Sequence, residues 1–314
     1  MPRAFLHYAA WRVAMAALLV FLASSSALLL ARLAPGDHFD FGADPLVVAA
    51  ERQRLGLDRP IAEQYVAWLS RAIRLDFGES LKYGRPVASL VRERAGHSVQ
   101  LGLGALVLAT ALGIPLGILT GSRGAGAIAR LTGGASVLLL SVPPLVTSLA
   151  LLLLASRTGW FPAGGLPPDS AGAIETVRYL TLPVLALALP MAATLERLQS
   201  RAVADALAEP CIVAVRARGV PRRRVLWRHA LVLSLKPVIA IYGIVIGTLI
   251  SGSFAVEYVM SWQGLGALMY EALVGRDAYL VAGCTAAGSV FLAAGLLCSD
   301  LALAAIDPRT ERPA

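Results

Sequence analysis

Six stretches of about twenty mostly apolar residues constrain this chain more than anything else in it: 11–31, 98–120, 133–155, 177–195, 230–254 and 280–304. A helix of that length crosses the hydrocarbon core of a bilayer, where every backbone N–H and C=O must be bonded within the protein. The expected fold is therefore all-α, a polytopic membrane protein with six transmembrane helices. Composition agrees. The chain is 57% hydrophobic and 15% charged, whereas soluble domains carry about 25% charged residues. The first stretch lacks the small-residue cleavage site of a signal peptide and five more follow it, so it reads as a retained span. The fourth is the weakest, because Pro183 and Pro190 interrupt it. Pro115, Pro143, Pro144 and Pro237 fall in other spans, where neighbouring helices can re-satisfy the backbone.

Arginines in the short loops set the expected orientation. Arg3 and Arg12 flank the first span, Arg123 and Arg130 separate the second from the third, and Arg309 and Arg312 end the chain. Arg197, Arg201 and the run "RARGVPRRRVLWRHAL" separate the fourth from the fifth. All of these lie on one side if both termini are cytoplasmic. The opposite short loops are poorer, with Arg157 and Arg178 near one and Arg276 in the other; the long connection 32–97 carries charges of both signs, but long loops escape the rule. A net charge of +8 would suit nucleic acid in a soluble protein, but here positive-inside topology accounts for it. Three units follow: 1–31, the cytoplasmic N-terminus and first span; 32–97, an extracytoplasmic segment; and 98–314, a core of five helices holding the cytoplasmic loop 197–229.

The outer segment has its own pattern. Ile61, Tyr65, Trp68, Leu69 and Ile73 share one helical face, which packs on the spans or lies in the membrane interface. Pro60 suits a first helical turn, and Pro86 opens a second short pattern with Val87, Leu90 and Val91. Arg71, Arg74 and Lys82 are its candidate contacts for an external partner.

Several chemistries lack their residues. There is no G-x-x-x-x-G-K-[ST] loop for phosphate, no H-E-x-x-H, and no Cys/His cluster for a metal. Cys284 and Cys298 lie about 21 Å apart along one helix, too far for a disulfide. The serines at 24–26 and 251–253 have no neighbouring base for nucleophilic catalysis. Charges inside the spans are few, and Lys236 and Asp300 are the two away from an arginine-flanked start. Asp300 is near a helix end and reads as the partner of an arginine. An ion-coupled carrier needs carboxylates near the midplane, so that reading ranks low.

The remaining feature is the arginine run itself. Arg216, Arg218, Arg222, Arg223, Arg224, Arg228 and His229 stand in one connection, with Gly219 and Pro221 at its centre. Gly219 can take the left-handed conformation that ends a helix, and Pro221 suits the first turn of the next. A topology signal explains the charge but not this Gly-x-Pro elbow.

In context, "EPCIVAVRARGVPRRRVLWRHALVLSLKPV" resembles the cytoplasmic loop of ABC importer permeases, in the branch that handles dipeptides, oligopeptides and nickel. The pieces "RLAPGD", "LGLDRPIAEQYVAWLSRAIRLDFGESLKYGRPV", "LGIPLGILTG", "SWQGLG" and "DPR" resemble that branch in the same order. The resemblance implies the type I ABC importer permease fold. It also implies that two short helices dock on a separate ATPase subunit, through Glu209, Ala214, Arg216, Ala217, Arg218, Gly219, Pro221, Arg222, Arg223, Arg224, Arg228 and His229. Cys211 and Val213 replace an aromatic and an arginine that the family often has, and Lys236 replaces an apolar residue. The implied assembly pairs this chain with a second homologous permease, two ABC ATPases and an extracytoplasmic binding protein in the lipid of a bacterial inner membrane. ATP and magnesium sit on the ATPases, and this chain needs no cofactor, metal or catalytic residue. Di- or oligopeptides are the expected cargo, with nickel or a nickel chelate as the alternative.

Overall fold

The structure is a computed structural model and describes residues 2–34, 45–123, 126–168 and 170–306. Its helices are α1 (Pro2–Leu33), α2 (Pro45–Leu55), α3 (Ile61–Ala72), α4 (Val87–Arg123), α5 (Ala127–Ser141) and α6 (Pro144–Thr158). They continue with α7 (Ala173–Ala208), α8 (Pro210–Ala217), α9 (Arg222–Arg224), α10 (Leu231–Val259), α11 (Leu265–Val274) and α12 (Ala278–Ile306). A π-helical stretch, Val225–Ala230, joins α9 to α10. The "DPR" end and the second half of "RLAPGD" lie outside the described residues.

Five helices are long and apolar enough to cross a membrane, and α5 with α6 supply a sixth crossing if that pair counts as one. The all-α, multi-span fold expected from the sequence is therefore present. The third stretch, however, is not one straight helix: α5 and α6 meet at 100°. The cause is local. Val142 precedes a proline and is pushed to extended backbone, φ −102° and ψ 117°. Pro143 follows at φ −59° and ψ 147°, and Pro144 opens α6. Two consecutive residues without N–H cannot continue a helix. The isolated Pro115, Pro183, Pro190 and Pro237 each remove a single bond and stay inside α4, α7 and α10.

Two other boundaries shift. The Val87, Leu90 and Val91 pattern is not a separate short helix but the opening turns of α4, which runs unbroken through residue 97. Pro60 and Pro86 each stand just before a helix rather than in its first turn.

Small residues set the packing. Ala105, Ala109, Gly113, Gly117 and Gly121 make a four-residue repeat along α4, and α7 lies against it in the same direction. A Cβ on Gly113 would stand 2.7 Å from the Ala192 carbonyl oxygen, and one on Gly121 2.3 Å from that of Ser200. The helices therefore approach backbone to backbone, the contact that membrane helices use in place of hydrophobic drive. Gly243 and Gly247 of α10 instead leave room for the side chains of Leu296 and Leu292 of α12. Where α1 and α12 run side by side, Arg12 pairs with Asp300 at 3.0 Å, the partnership expected for that carboxylate.

Two apolar clusters result. One joins α4, α7 and α10 around Leu195, Val245 and Trp262. The other joins α1, α3 and α12 around Trp68, Leu268 and Leu280, with Tyr65 and Leu69 packed on it. So the middle of the predicted α3 face packs on the spans. Its ends do not: Ile61 and Ile73 are 42% and 78% exposed.

Candidate functional site

The arginine run lies at one end of the bundle, where α7 hands over to α10. Glu209 (φ −58°, ψ 136°) is at once the last cap of α7 and the first of α8. Its carbonyl accepts from the amides of Ile212 and Val213, each at 3.0 Å. Pro210 then opens α8, where a missing N–H costs nothing. The helix closes at Gly219, whose φ of +80° is left-handed and whose amide donates to the Arg216 carbonyl at 3.0 Å. Pro221 sits one residue earlier than a first-turn role requires. It caps α9, and its carbonyl accepts from Arg224 and Val225.

The elbow is held by few contacts. Ile212, Val225 and Ala230 are buried. Arg222 donates to the Ser122 carbonyl at the end of α4. Ala214, Arg216, Ala217, Arg218, Arg223, Arg224 and Arg228 are exposed, as are Val213 and Trp227, while His229 is half-buried. The π stretch, a geometry often found at functional sites, carries Trp227, Arg228 and His229.

Directly behind the elbow lies a buried polar layer. Glu196 of α7 accepts from Thr120 of α4 and Ser136 of α5, both at 2.7 Å. Gln199, fully buried, donates to Ser234 of α10 at 3.0 Å. One helix, α7, is thereby hydrogen-bonded through side chains to three others.

The opposite end is closed by two other carboxylates. Glu257, fully buried, accepts from Ser98 Oγ at 2.7 Å, from the Gly266 amide at 2.7 Å and from the Ala267 amide at 3.2 Å. Gly264 leaves room for it, since a Cβ there would fall 2.4 Å from Glu257 Oε2. That is the physical content of the "SWQGLG" motif. Trp262 of the same motif donates to the His97 carbonyl at 3.0 Å. Asp277 caps α12 by accepting from the Leu280 amide at 3.0 Å. Its other oxygen accepts from Ser80 Oγ at 2.6 Å and the Lys82 amide at 3.1 Å, clipping the outer segment down. Beside it Tyr83 donates to Glu271, and Lys82 pairs with Glu271 at 3.6 Å. Burial, with the hydrogen bond and charge of Glu271 behind it, pushes the Tyr83 phenol up to about 12.

Glu196, Gln199, Glu257 and Asp277 do not stand out in the sequence because each stands at the margin of an apolar run. The one available signal was Glu257 shortly before Gly-x-Gly, residue types that let a carboxylate reach backbone amides. Of the outer cations, Lys82 is taken by Glu271 and Arg71 lies 6.0 Å from the Tyr279 ring. Arg74 is exposed.

Comparison with known proteins fits this architecture. The family described as "Binding-protein-dependent transport system inner membrane component" matches residues 113–312, which include Gly113, Gly117 and Gly121 of α4, the elbow and the buried carboxylates Glu196, Glu257 and Asp277. The oligopeptide transport system permease protein AppB of Bacillus subtilis is 33% identical over 288 residues, covering 89% of this chain and 91% of that one. The oligopeptide transport system permease protein OppB of Mycobacterium tuberculosis is 35% identical over 282 residues, 84% of this chain and 85% of that one. With bundle, elbow and matched residues in agreement, this chain belongs to the inner-membrane components of binding-protein-dependent transport systems.

Proposed function

We propose that this chain is the permease subunit of an ATP-driven importer of di- or oligopeptides and forms half of its pore beside a second, homologous permease. One observation carries this reading. The elbow exposes Arg216, Arg218, Arg223 and Arg224 at the junction of two membrane helices, and among the described residues it is held through buried Ile212, Val225 and Ala230 and the Arg222 hydrogen bond. Such a lever suits a docked ATPase subunit, one for each permease, with ATP and magnesium held on those subunits. Movement there would reach α4, α5 and α10 through Glu196 and Gln199. The peptide cargo is supported by the names of the relatives. The loop arginines support a cytoplasmic elbow and cytoplasmic termini.

The external binding protein would meet the opposite end. Of the three cations proposed for it, Lys82 stands beside the Asp277 clip, whereas Arg71 and Arg74 lie among exposed apolar residues of α3. The proposed outer contact keeps Arg71, Arg74 and Lys82 together, with Lys82 already paired to Glu271.

The test is uptake into vesicles holding the full complex. Labelled di- and tetrapeptides should accumulate with ATP inside. Accumulation that persists after complete ATP depletion, with an ion gradient maintained, would mean an ion-coupled carrier. Uptake of a nickel chelate and of neither peptide would reassign the cargo.

A further inference from the structure

Toward the end opposite the elbow, α4, α10 and α12 part and leave a cleft of about 630 Å³. One face of α11, with Leu265, Met269 and Leu273, roofs it. Its floor is where the helices close again. Leu292 of α12 packs against Gly247 of α10, and Thr110 of α4 is hydrogen-bonded to Tyr242 of α10 at 2.8 Å. The cleft runs from Ser98 to Leu106 along α4 and from Ile246 to Phe254 along α10, about 12 Å in each case. Half of a hydrocarbon core is about 15 Å, so an acyl chain spanning a leaflet does not fit between roof and floor. The volume is that of a small-ligand pocket between helices.

The walls suit an apolar occupant. Among the described residues that line the cleft none is charged. Its hydroxyls, Ser98 and Ser253, both turn to Glu257, and Ser98 also accepts from the Leu265 amide at 2.8 Å. What remains is apolar surface, with Met269 able to adjust to different shapes. Phe254 carries this surface outward. Its ring lies 6.2 Å from that of Tyr270, which lies 4.1 Å from that of Tyr258, and Tyr258 is exposed. On the other lip, Val99, Leu103 and Val107 are exposed, on the side of α4 turned away from Leu101, Ala105 and Ala109 in the core. Rings lead in from the surface, and an aliphatic stripe leads on past the floor.

We infer that this cleft is a cargo site that takes an apolar or aromatic side chain of the peptide as it passes this half of the pore. The inference rests on the peptide-importer reading above and adds to it a preference among peptides. A flat side chain stacks on the three rings at the entrance. A charged one would be buried there without a partner, so the cleft discriminates by side chain while the peptide backbone, common to all cargo, finds no hydrogen bond in it.

The experiment is competition uptake into vesicles holding the whole complex, with two labelled tripeptides that differ only in a central phenylalanine or glycine. Gly102 lines the cleft, and nothing lies within 4 Å of a Cβ there, so Gly102→Leu enters the open space. It should lower uptake of the phenylalanine peptide relative to the glycine peptide roughly tenfold. The binding protein is the same in both complexes, so a change in that ratio belongs to this chain. Cys284, also in the lining, gives a reading that does not depend on the variant folding. With Cys211→Ser and Cys298→Ser, labelling of Cys284 by N-ethylmaleimide should slow during turnover of the phenylalanine peptide and not of the glycine peptide. An unchanged uptake ratio, or Cys284 labelling indifferent to both peptides, assigns the cleft to a partner permease or a lipid and overturns the inference. Equal loss of both peptides makes the cleft structural only and overturns it too. If the wild-type complex imports neither peptide, the peptide-importer reading itself fails and takes this site with it.

Discussion

The two ends of the bundle are built on opposite plans. At the outer end, Glu257 and Asp277 are fully buried and saturated by hydroxyl and amide donors, and loops are pulled onto helix ends. On the elbow the arginines are exposed, and among the described residues one arginine hydrogen bond, Arg222 to the Ser122 carbonyl, ties it to α4. A buried carboxylate tolerates no change in its donors, because losing one leaves a charge uncompensated. An exposed guanidinium tolerates movement. The contrast separates a cap that holds its own shape from a surface that waits for another protein to complete it.

The largest effect should come from breaking the rigid end. Gly264→Val sets a side chain 2.4 Å from Glu257 Oε2 and 2.5 Å from Ser98 Oγ. The carboxylate must leave its donors, at a cost on the order of 3–5 kcal/mol. Folded protein recovered after detergent extraction should drop sharply. Wild-type yield and thermal stability would show that the cradle is not structural.

Gly219→Val tests the other plan. Nothing stands within 4 Å of a Cβ there, so the penalty is conformational, about 1–2 kcal/mol for a left-handed β-branched residue. The variant should insert and purify normally but hydrolyse ATP without peptide uptake. Wild-type uptake per ATP in vesicles would refute a coupling role.

A smaller effect separates the arginines from one another. Arg223→Ala with Arg224→Ala removes exposed charge, and should weaken ATPase recruitment about tenfold while flattening its salt dependence. Arg222→Ala should leave the salt dependence unchanged and loosen the elbow instead, because its guanidinium serves the Ser122 carbonyl. Co-purification of ATPase subunits across ionic strengths distinguishes the two. Identical salt profiles would mean that all three act only as loop charge.

The smallest is a pH effect at the outer cap. Tyr83 is shifted from 10.0 to about 12 in the folded protein. A raised folded value stabilises below the unfolded value and fades as pH rises through the folded one. Protection of Cys substituted for Tyr83's neighbour Leu81 should thus be constant to about pH 10 and weaken toward about pH 12. Tyr83→Phe should lose that dependence. An unchanged alkaline profile in the variant would remove Tyr83 from the cap's stability.

The sequence by itself determined the class of solvent, the helices and the elbow. Runs of about twenty apolar residues leave the backbone no option but helix, and a glycine followed by X-Pro specifies its turn from local sterics alone. Even the break between α5 and α6 was written in Val142-Pro143-Pro144, since its cause spans three adjacent residues. What only the tertiary structure decided is which polar groups meet. Glu196 reaches Thr120 and Ser136 across three helices, and Asp277 reaches Ser80 across most of the chain. The cleft between α4, α10, α11 and α12 likewise exists only once distant segments pack. Local rules act over a few residues and can be read along the chain. Pairing of buried polar groups depends on helix register and separation, which follow from how close Gly113, Gly117 and Gly121 let α7 approach.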